Sequence, residues 1–510
     1  MNTLYKEIIT AKSNEKIPLF ENGKSMHSKY SPVREAESFG SEIKSGGNYT
    51  IILGLGGAYH VESFYKHHPD HKIMIIEESQ NDINLLSQIE CVKKLHGNPN
   101  ILITSKENFQ QFLINSYLPA FHGGINILCH RAWYDNNKTS ADEILQKLNQ
   151  TIKSISKDFS VQSHFGLIWQ KNILNNLKIL GTNKNKTIKF DTTKTAAIIA
   201  AGPSLDCTIS IILKELNKYF ILATDTSLNV LVSHNIKPDA VISIDGQNIS
   251  YKHFVGYTNP DTTFIFDLQA NFNAVNYVSK YTSNIIFIKS GHPFCNYAEP
   301  FSDSEITNID CGAGTVTIAA IDFAKKAGFT DFKVFGADFS YRNNKPYTKG
   351  TYLDTLYRLN ENRIFTSENL YTNLLYRTEI TRYENIIETE ILNSYKNTFI
   401  DWINSNNLNY TYENSIYKIS ANNPKSKITE LKTLSFDYEN FIKMLCADVK
   451  KIYESDLKNI NHPLIISILP LISYLRNKTP SLTFSEAVKL ALSKILEYTW
   501  ILWIEKFLLL

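Results

Sequence analysis

At 510 residues with 43% hydrophobic content, the chain exceeds what one hydrophobic core serves, so two or three domains are expected. Lys plus Arg (53) nearly balance Asp plus Glu (50), and a net charge of +3 argues against an electrostatic grip on nucleic acid. Six scattered cysteines without a CxxC pair argue against a disulfide framework and a thiolate zinc site, and fit the reduced thiols of a cytoplasm.

After a polar N-terminal arm without an apolar signal core, "YTIILGLGGAYHVESFYKHH" (Tyr49 to His68) reads as strand, glycine-rich turn and helix. "HKIMIIEES" reads as a second buried strand, and "NILITS" and "GINILCH" continue the pattern of a parallel α/β unit. Gly54, Gly56 and Glu77 resemble a nucleotide fingerprint, but Tyr59 stands where its third glycine belongs, so the turn is expected to be scaffold. The histidines of "YKHHPDHK" fall in a polar connector and are expected to face solvent. Ser140 to Leu180 carries a helical apolar period, and Gly181 is placed to end it. The first domain is therefore set at residues 1–180.

A second α/β unit starts at "AAIIAAGPSLD" (Ala196 to Asp206), with further strands "FILAT", "AVISID", "TFIFDL", "NIIFIKS" and "FKVFGAD". Buried strands alternating with helices imply a parallel sheet with its ligand beyond the carboxyl ends of the strands. Gly202 permits the reversal, Pro203 suits the first helical position, and the N–H groups of Ser204 and Leu205 are offered to an anion. "KPDAVISID" delivers Asp245 to a strand end. "DCGAGTVT" offers Gly312, Gly314 and the Thr315 hydroxyl at another helix start, and "FGADFSYRNNKPYTKGT" ends a strand with Asp338 before Tyr341 and Tyr347. This unit is set at residues 181–375. From 376 to 510 the alternation stops, and amphipathic helices such as "FSEAVKLALSKILEYTWILWIEKFLLL" indicate a helical domain. Its charged residues disfavour membrane insertion, and its apolar surface offers packing or self-association. The fold class is thus α/β, two Rossmann-like parallel-sheet units followed by a helical C-terminal domain, with a cytoplasmic location and no membrane contact.

The Gly-Pro-Ser-Leu turn, "KPDAVISID", "CGAGTVT" and "FGADFSY" together resemble the motility-associated factor (Maf) glycosyltransferases, whose central domain is MptE-like, after a 6-hydroxymethylpterin diphosphokinase. More distantly that domain looks like bacterial sialyltransferases that use CMP-sialic acid. The resemblance implies transfer of a nonulosonic acid, pseudaminic or legionaminic in type, from its CMP conjugate to Ser or Thr of flagellin, in support of motility. It assigns the nucleotide to Gly202, Pro203, Ser204, Gly312, Gly314, Thr315, Tyr341 and Tyr347, the two tyrosines meeting the phosphate. Ala201 stands where the sialyltransferases have Asn, and no His lies between Tyr347 and His462, where they place their catalytic His. Asp245, Asp338 and His292 of "KSGHPF" are the candidates for the acid–base role by position at strand ends. No metal and no tightly bound cofactor are expected. An alternative is a pterin-type pyrophosphokinase, which would need ATP and Mg²⁺ held by acids such as Asp225, Asp245 and Asp338. Another is a non-catalytic flagellin-binding protein on the same fold.

Overall fold

The computed structural model describes residues 3–39, 43, 46–183, 186–312, 314–421, 429–454 and 462–508. Its contacts divide the chain into one unit of residues 1–164 with 472–484 and another of residues 165–471 with 485–510.

The first unit opens with an antiparallel hairpin of β1 (Tyr5–Thr10) and β2 (Lys16–Phe20). Four parallel strands follow: β3 (Tyr49–Leu53), β4 (Lys72–Glu77), β5 (Ile101–Ser105) and β6 (Ile125–Cys129), arranged β5-β4-β3-β6. The central β3 is buried throughout and β4 in all but its first residue. This is why their sequences run apolar without alternation.

The glycine-rich turn after β3 is filled by the protein itself. A Cβ on Gly54 would lie 2.6 Å from the Trp133 ring, and the Gly54 φ of +93° is one that side chains disfavour. Glu77, fully buried at the end of β4, accepts the Leu55 N–H (2.8 Å), the Glu78 N–H (2.9 Å), the Trp133 Nε1–H (2.6 Å) and the Tyr5 hydroxyl (3.2 Å). Burial nevertheless lifts its pKa to about 7, with these donors pulling the other way. A carboxylate engaged by four donors is not presented to a ribose, so the turn holds the domain together. Gly54→Ala is accordingly expected to destabilise this unit by about 2 to 3 kcal/mol through overpacking and backbone strain, measured by urea unfolding.

In the second unit, β7 (Thr187–Phe190) precedes β8 (Thr195–Ile199), β9 (Tyr219–Thr224), β10 (Ala240–Ser243), β11 (Thr263–Asp267), β12 (Ile285–Ile288) and β13 (Asp331–Phe335). Short β14 (Tyr341–Arg342) pairs with β16 (Ile386–Thr389), which also pairs with β15 (Ile380–Tyr383). β17 (Asn409–Glu413), β18 (Ile416–Ser420) and β19 (Thr429–Lys432) complete the set, β19 pairing with β7. The main sheet runs β12-β11-β10-β9-β8-β13-β18-β17, parallel from β12 to β13 and antiparallel at its last two strands. The six parallel strands are the six read from sequence. The helical reading of the C-terminal region passes over β15 to β19, whereas its helices Tyr438–Glu454 and Phe484–Leu508 are present. The side chains from Trp500 on, where the expected self-association surface falls, lie outside the described residues. Among the described residues no helix is long and apolar enough to cross a membrane.

Successive strands β8 to β12 step in one direction and the chain then returns to place β13 on the other side of β8. The order reverses between β8 and β13, so the crevice expected of an open parallel sheet lies beyond the carboxyl ends of these two strands. Two asparagines of the helix Lys138–Thr182 fasten the neighbouring strand ends. Asn172 Nδ2 donates to the Gly246 and Gln269 carbonyls (3.0 Å each), and Asn176 Nδ2 to those of Leu268 (2.9 Å) and Ala270 (2.8 Å).

Candidate active site

The loops leaving β8 and β13 approach backbone to backbone. Gly202 N–H donates to the Gly336 carbonyl (2.8 Å), and a Cβ on Gly202 would lie 2.4 Å from both that oxygen and Asp338 Oδ2. Gly336, at φ +68°, leaves equally little room, since its Cβ would lie 2.4 Å from the Ala200 carbonyl oxygen. Glycine is required on both sides of this contact. Phe339, also left-handed at φ +48°, adds backbone strain immediately after Asp338.

The donors that the sequence reading offers to phosphate are used internally. Asp338 Oδ2 accepts the Ser204 N–H at 2.8 Å, while the Leu205 N–H turns back to the Gly202 carbonyl at 3.0 Å. The other Asp338 oxygen lies 2.8 Å from Arg342 Nε, and the Asp338 side chain is 1% exposed. Burial raises the Asp338 pKa, against the pull of the Ser204 N–H and the Arg342 guanidinium. Asp338, read as a catalytic candidate, is therefore corrected to a positioning residue. Its carboxylate occupies the anion position at the start of helix Leu205–Lys214 and ties β13 to β8.

A loop closes over this turn. Thr348 N–H donates to the Ala201 carbonyl (2.9 Å), the Thr348 hydroxyl bonds the Asp206 carboxylate, and Lys349 N–H reaches the same oxygen at 3.2 Å. Tyr347, 38% exposed, is carried by this loop. Burial raises the Tyr347 pKa, as do Tyr352, Tyr341, Asp225 and Asp245 around it. Tyr341, Tyr352, Asp225 and Asp245 thus all act electrostatically on Tyr347. Asp225 is less available: Oδ2 accepts the Ser243 hydroxyl (2.6 Å) and Oδ1 the Thr226 N–H (2.7 Å). Asp245 is half-buried, with Oδ1 accepting the Gln247 N–H (2.9 Å), and its loop is fixed by the Asn271 N–H on its carbonyl (3.0 Å).

His292 has another task. Its Nδ1 accepts the Phe294 N–H (3.2 Å) as cap of helix Pro293–Ala298, so the ring proton sits on Nε2 and no lone pair remains to act as a base. Burial drops its pKa to about 3. Its catalytic candidacy is corrected to a capping role. At the second glycine turn, the Gly312 N–H donates to Asp310 Oδ1 (2.8 Å), and the Trp402 Nε1–H to Asp310 Oδ2 (2.9 Å). The Thr315 hydroxyl accepts the Ile318 N–H (3.4 Å), capping helix Val316–Lys326. Gly314, at φ +89° with open space where a Cβ would stand, is exposed, as is Gly312.

Two residues escaped the sequence reading. Asp267 ends β11 fully buried, with Oδ1 on the Gln269 N–H (2.7 Å) and Oδ2 without a hydrogen-bond partner. Burial lifts its pKa to about 6. The signal was present in "TFIFDL", an acid closing an apolar strand like that of "AVISID". His253, 4% exposed, packs edge-on against Tyr352 at 4.7 Å; no strand-end signal marks it. A separate groove of about 380 Å³, lined by Thr195, Lys333, Tyr410 and Lys418, opens at the starting ends of β8 and β13, away from this cleft.

The open parallel sheet, with glycine turns, acids and tyrosines beyond its strand ends at the order reversal, falls within a segment that matches a known family. The family model described as 6-hydroxymethylpterin diphosphokinase MptE-like matches residues 171–344. Two proteins of Treponema pallidum (strain Nichols), both described as uncharacterized, are similar. One is 37% identical over 146 residues, 28% of this chain and 70% of that protein, and the other 30% identical over 238 residues, 46% and 76% respectively. The chain belongs to one family with these two proteins. The solved structure of Maf glycosyltransferase from Magnetospirillum magneticum AMB-1 shares the fold over 98% of this chain and 92% of its own, with a TM-score of 0.50 and 13% identity. The architecture is thus of the Maf type, with an MptE-like central domain.

Proposed function

We propose that the chain is a glycosyltransferase that moves a nonulosonic acid, pseudaminic or legionaminic in type, from its CMP donor to Ser or Thr of flagellin in the cytoplasm. The observation that supports this reading is the loop that carries Tyr347 closing over the Gly202 turn, with the Thr348 N–H on the Ala201 carbonyl at 2.9 Å. The shared fold with a Maf glycosyltransferase supports it. In this reading Gly202, Pro203 and Ser204 contribute shape, admitting the nucleoside close to backbone whose own anion site is filled by Asp338. The hydroxyls of Tyr341 and Tyr347 donate to the CMP phosphate, and Gly312, Gly314 and Thr315 border the cleft further along the sheet edge. As the bond from sugar carbon to phosphate oxygen breaks, these donors stabilise the charge that CMP carries away. Asp245 takes the proton of the acceptor hydroxyl as its oxygen bonds the sugar.

Incubating the protein with a CMP-nonulosonate and flagellin is expected to add one sugar mass per modified site. Asp245→Asn is expected to lower kcat by roughly 10²- to 10⁴-fold, and Tyr347→Phe to lower kcat/KM by about 10- to 100-fold. Unmodified flagellin in the presence of an active donor would overturn the assignment. The family-model description supports a second reading, diphosphate transfer from ATP. Calorimetry separates the two: CMP binding without Mg²⁺ goes with the glycosyltransferase, ATP binding only with Mg²⁺ with the kinase.

A further inference from the structure

Three histidines far apart in sequence meet inside the first unit. His27 lies in the loop after β2, His60 in the first turn of helix Tyr59–His67, and His130 directly after β6. They are 3%, 1% and 8% exposed, with one ring nitrogen of each within 4.8 Å of the others. The ring centroids are 5.5 Å (His27–His60), 5.0 Å (His27–His130) and 4.8 Å (His60–His130) apart, beside Phe39 and Tyr59.

Hydrogen bonds define which nitrogens of His27 and His60 carry lone pairs. His60 Nε2 lies 3.0 Å from the Gly54 carbonyl oxygen, which can only accept, so Nε2 holds the proton and Nδ1 the lone pair. That Nδ1 is buried with no hydrogen-bond partner, as is His130 Nδ1. His27 Nε2 accepts the Gly57 N–H at 2.8 Å, so its proton sits on Nδ1, 3.9 Å from Glu35 Oε2. Buried polar nitrogens without partners are costly, and two in one pocket, one of them a defined lone pair, call for an occupant.

We propose that His27, His60 and His130 form a binding site for one divalent late first-row metal ion, zinc above all. Three imidazoles are a donor set for zinc and its neighbours and a poor one for Mg²⁺ or Ca²⁺, which take oxygen ligands. The backbone carbonyl on His60 matches the outer partner that ligating histidines use, and the Glu35 carboxylate lies 3.9 Å from His27 Nδ1, close enough to act on it electrostatically. Tetrahedral zinc with Zn–N of about 2.0–2.1 Å sets neighbouring nitrogens roughly 3.4 Å apart, so the set closes by up to about 1.4 Å, and His27 exchanges its Gly57 N–H for the metal. The fourth position falls to water. The ion would pin the β2 loop, the glycine turn after β3 and the end of β6 to one point, and this assignment is independent of any glycosyl transfer.

The full-length protein, stripped with a chelator, is titrated with Zn²⁺ by calorimetry and with Co²⁺ by visible absorption. One equivalent of Zn²⁺ and the visible bands of four-coordinate Co²⁺ are expected. His60→Gln and His130→Gln each lower affinity at least 100-fold, and Glu35→Gln, at a half-exposed position, lowers it about 10-fold with an unchanged circular dichroism spectrum. The triple variant His67→Gln, His68→Gln, His71→Gln, which removes the connector histidines, keeps the full stoichiometry. Uptake below a tenth of an equivalent in the unaltered protein overturns the site. So does uptake that survives His60→Gln and His130→Gln but vanishes in the connector variant. If the two ligand variants do not fold, Glu35→Gln and the connector variant decide the question by the same readouts.

Discussion

Gly202→Val is expected to abolish transfer to flagellin and to destabilise the second unit. The valine Cβ would begin 2.4 Å from Asp338 Oδ2 and 2.4 Å from the Gly336 carbonyl oxygen, one a buried carboxylate and the other backbone. Neither is the free end of a flexible side chain. The β8 and β13 loops must separate, which breaks the Gly202–Gly336 hydrogen bond and the charge-assisted bond from the Ser204 N–H to Asp338. Overpacking together with a lost hydrogen bond to a charged group comes to about 3 to 5 kcal/mol. Gly256→Ala serves as control: its φ of +88° is left-handed, unlike that of Gly202, but nothing stands within 4 Å of the added Cβ, so only about 1 kcal/mol of backbone strain is expected. Urea midpoints of the two variants, beside the mass of treated flagellin, check the result. A Gly202→Val protein as stable as Gly256→Ala would mean that the two strand ends do not meet as described.

That contact marks the limit of what the sequence makes legible. Strands buried on both faces announce themselves, because "YTIIL", "KIMIIE", "YFILAT" and "TFIFD" have no polar side to interrupt them. "NYTYE" and "IYKIS" are different: they form the antiparallel edge of the main sheet, one fully exposed and the other mixed in burial, and they sit among helical patterns. The site divides along similar lines. Acids at strand ends are visible one by one, so Asp245 and Asp338 could be named, but the pairing of Asp338 with Ser204 spans 134 residues and carries no local signal. For the same reason His292 reads as a base until the Phe294 N–H is seen on its Nδ1. Trp133 is equally hidden: nothing in "HRAWYD" tells that its ring fills the space beside Gly54.

Asp267→Asn is expected to stabilise the protein at pH 8 and to leave its stability at pH 4 nearly unchanged. The folded pKa of Asp267, raised by burial to about 6 from an ordinary 3.8, means that the native state keeps this proton to higher pH than the unfolded chain does. Where the native state binds more protons, stability falls as pH rises. The loss therefore accumulates between about pH 4 and pH 6 and is complete above it, amounting to about 3 kcal/mol at 1.4 kcal/mol per pKa unit. Asparagine keeps an acceptor for the Gln269 N–H and removes the charge whose Oδ2 is without a partner. Other buried acids, Glu77 among them, titrate in the same window, but they are common to both proteins and cancel in the difference. The measurement is the difference in unfolding free energy between variant and parent at pH 4, 6 and 8. A difference that does not grow between pH 4 and 8 would show that the carboxylate is solvated in the native state. A buried acid that lowers stability at neutral pH is retained for some purpose other than folding, and its position at the end of β11, two strands from Asp225 across the parallel sheet, places it on the edge that carries the cleft. If transfer falls while stability rises, Asp267 belongs to the working machinery of the site. If transfer is unchanged, the charge serves neither folding nor transfer.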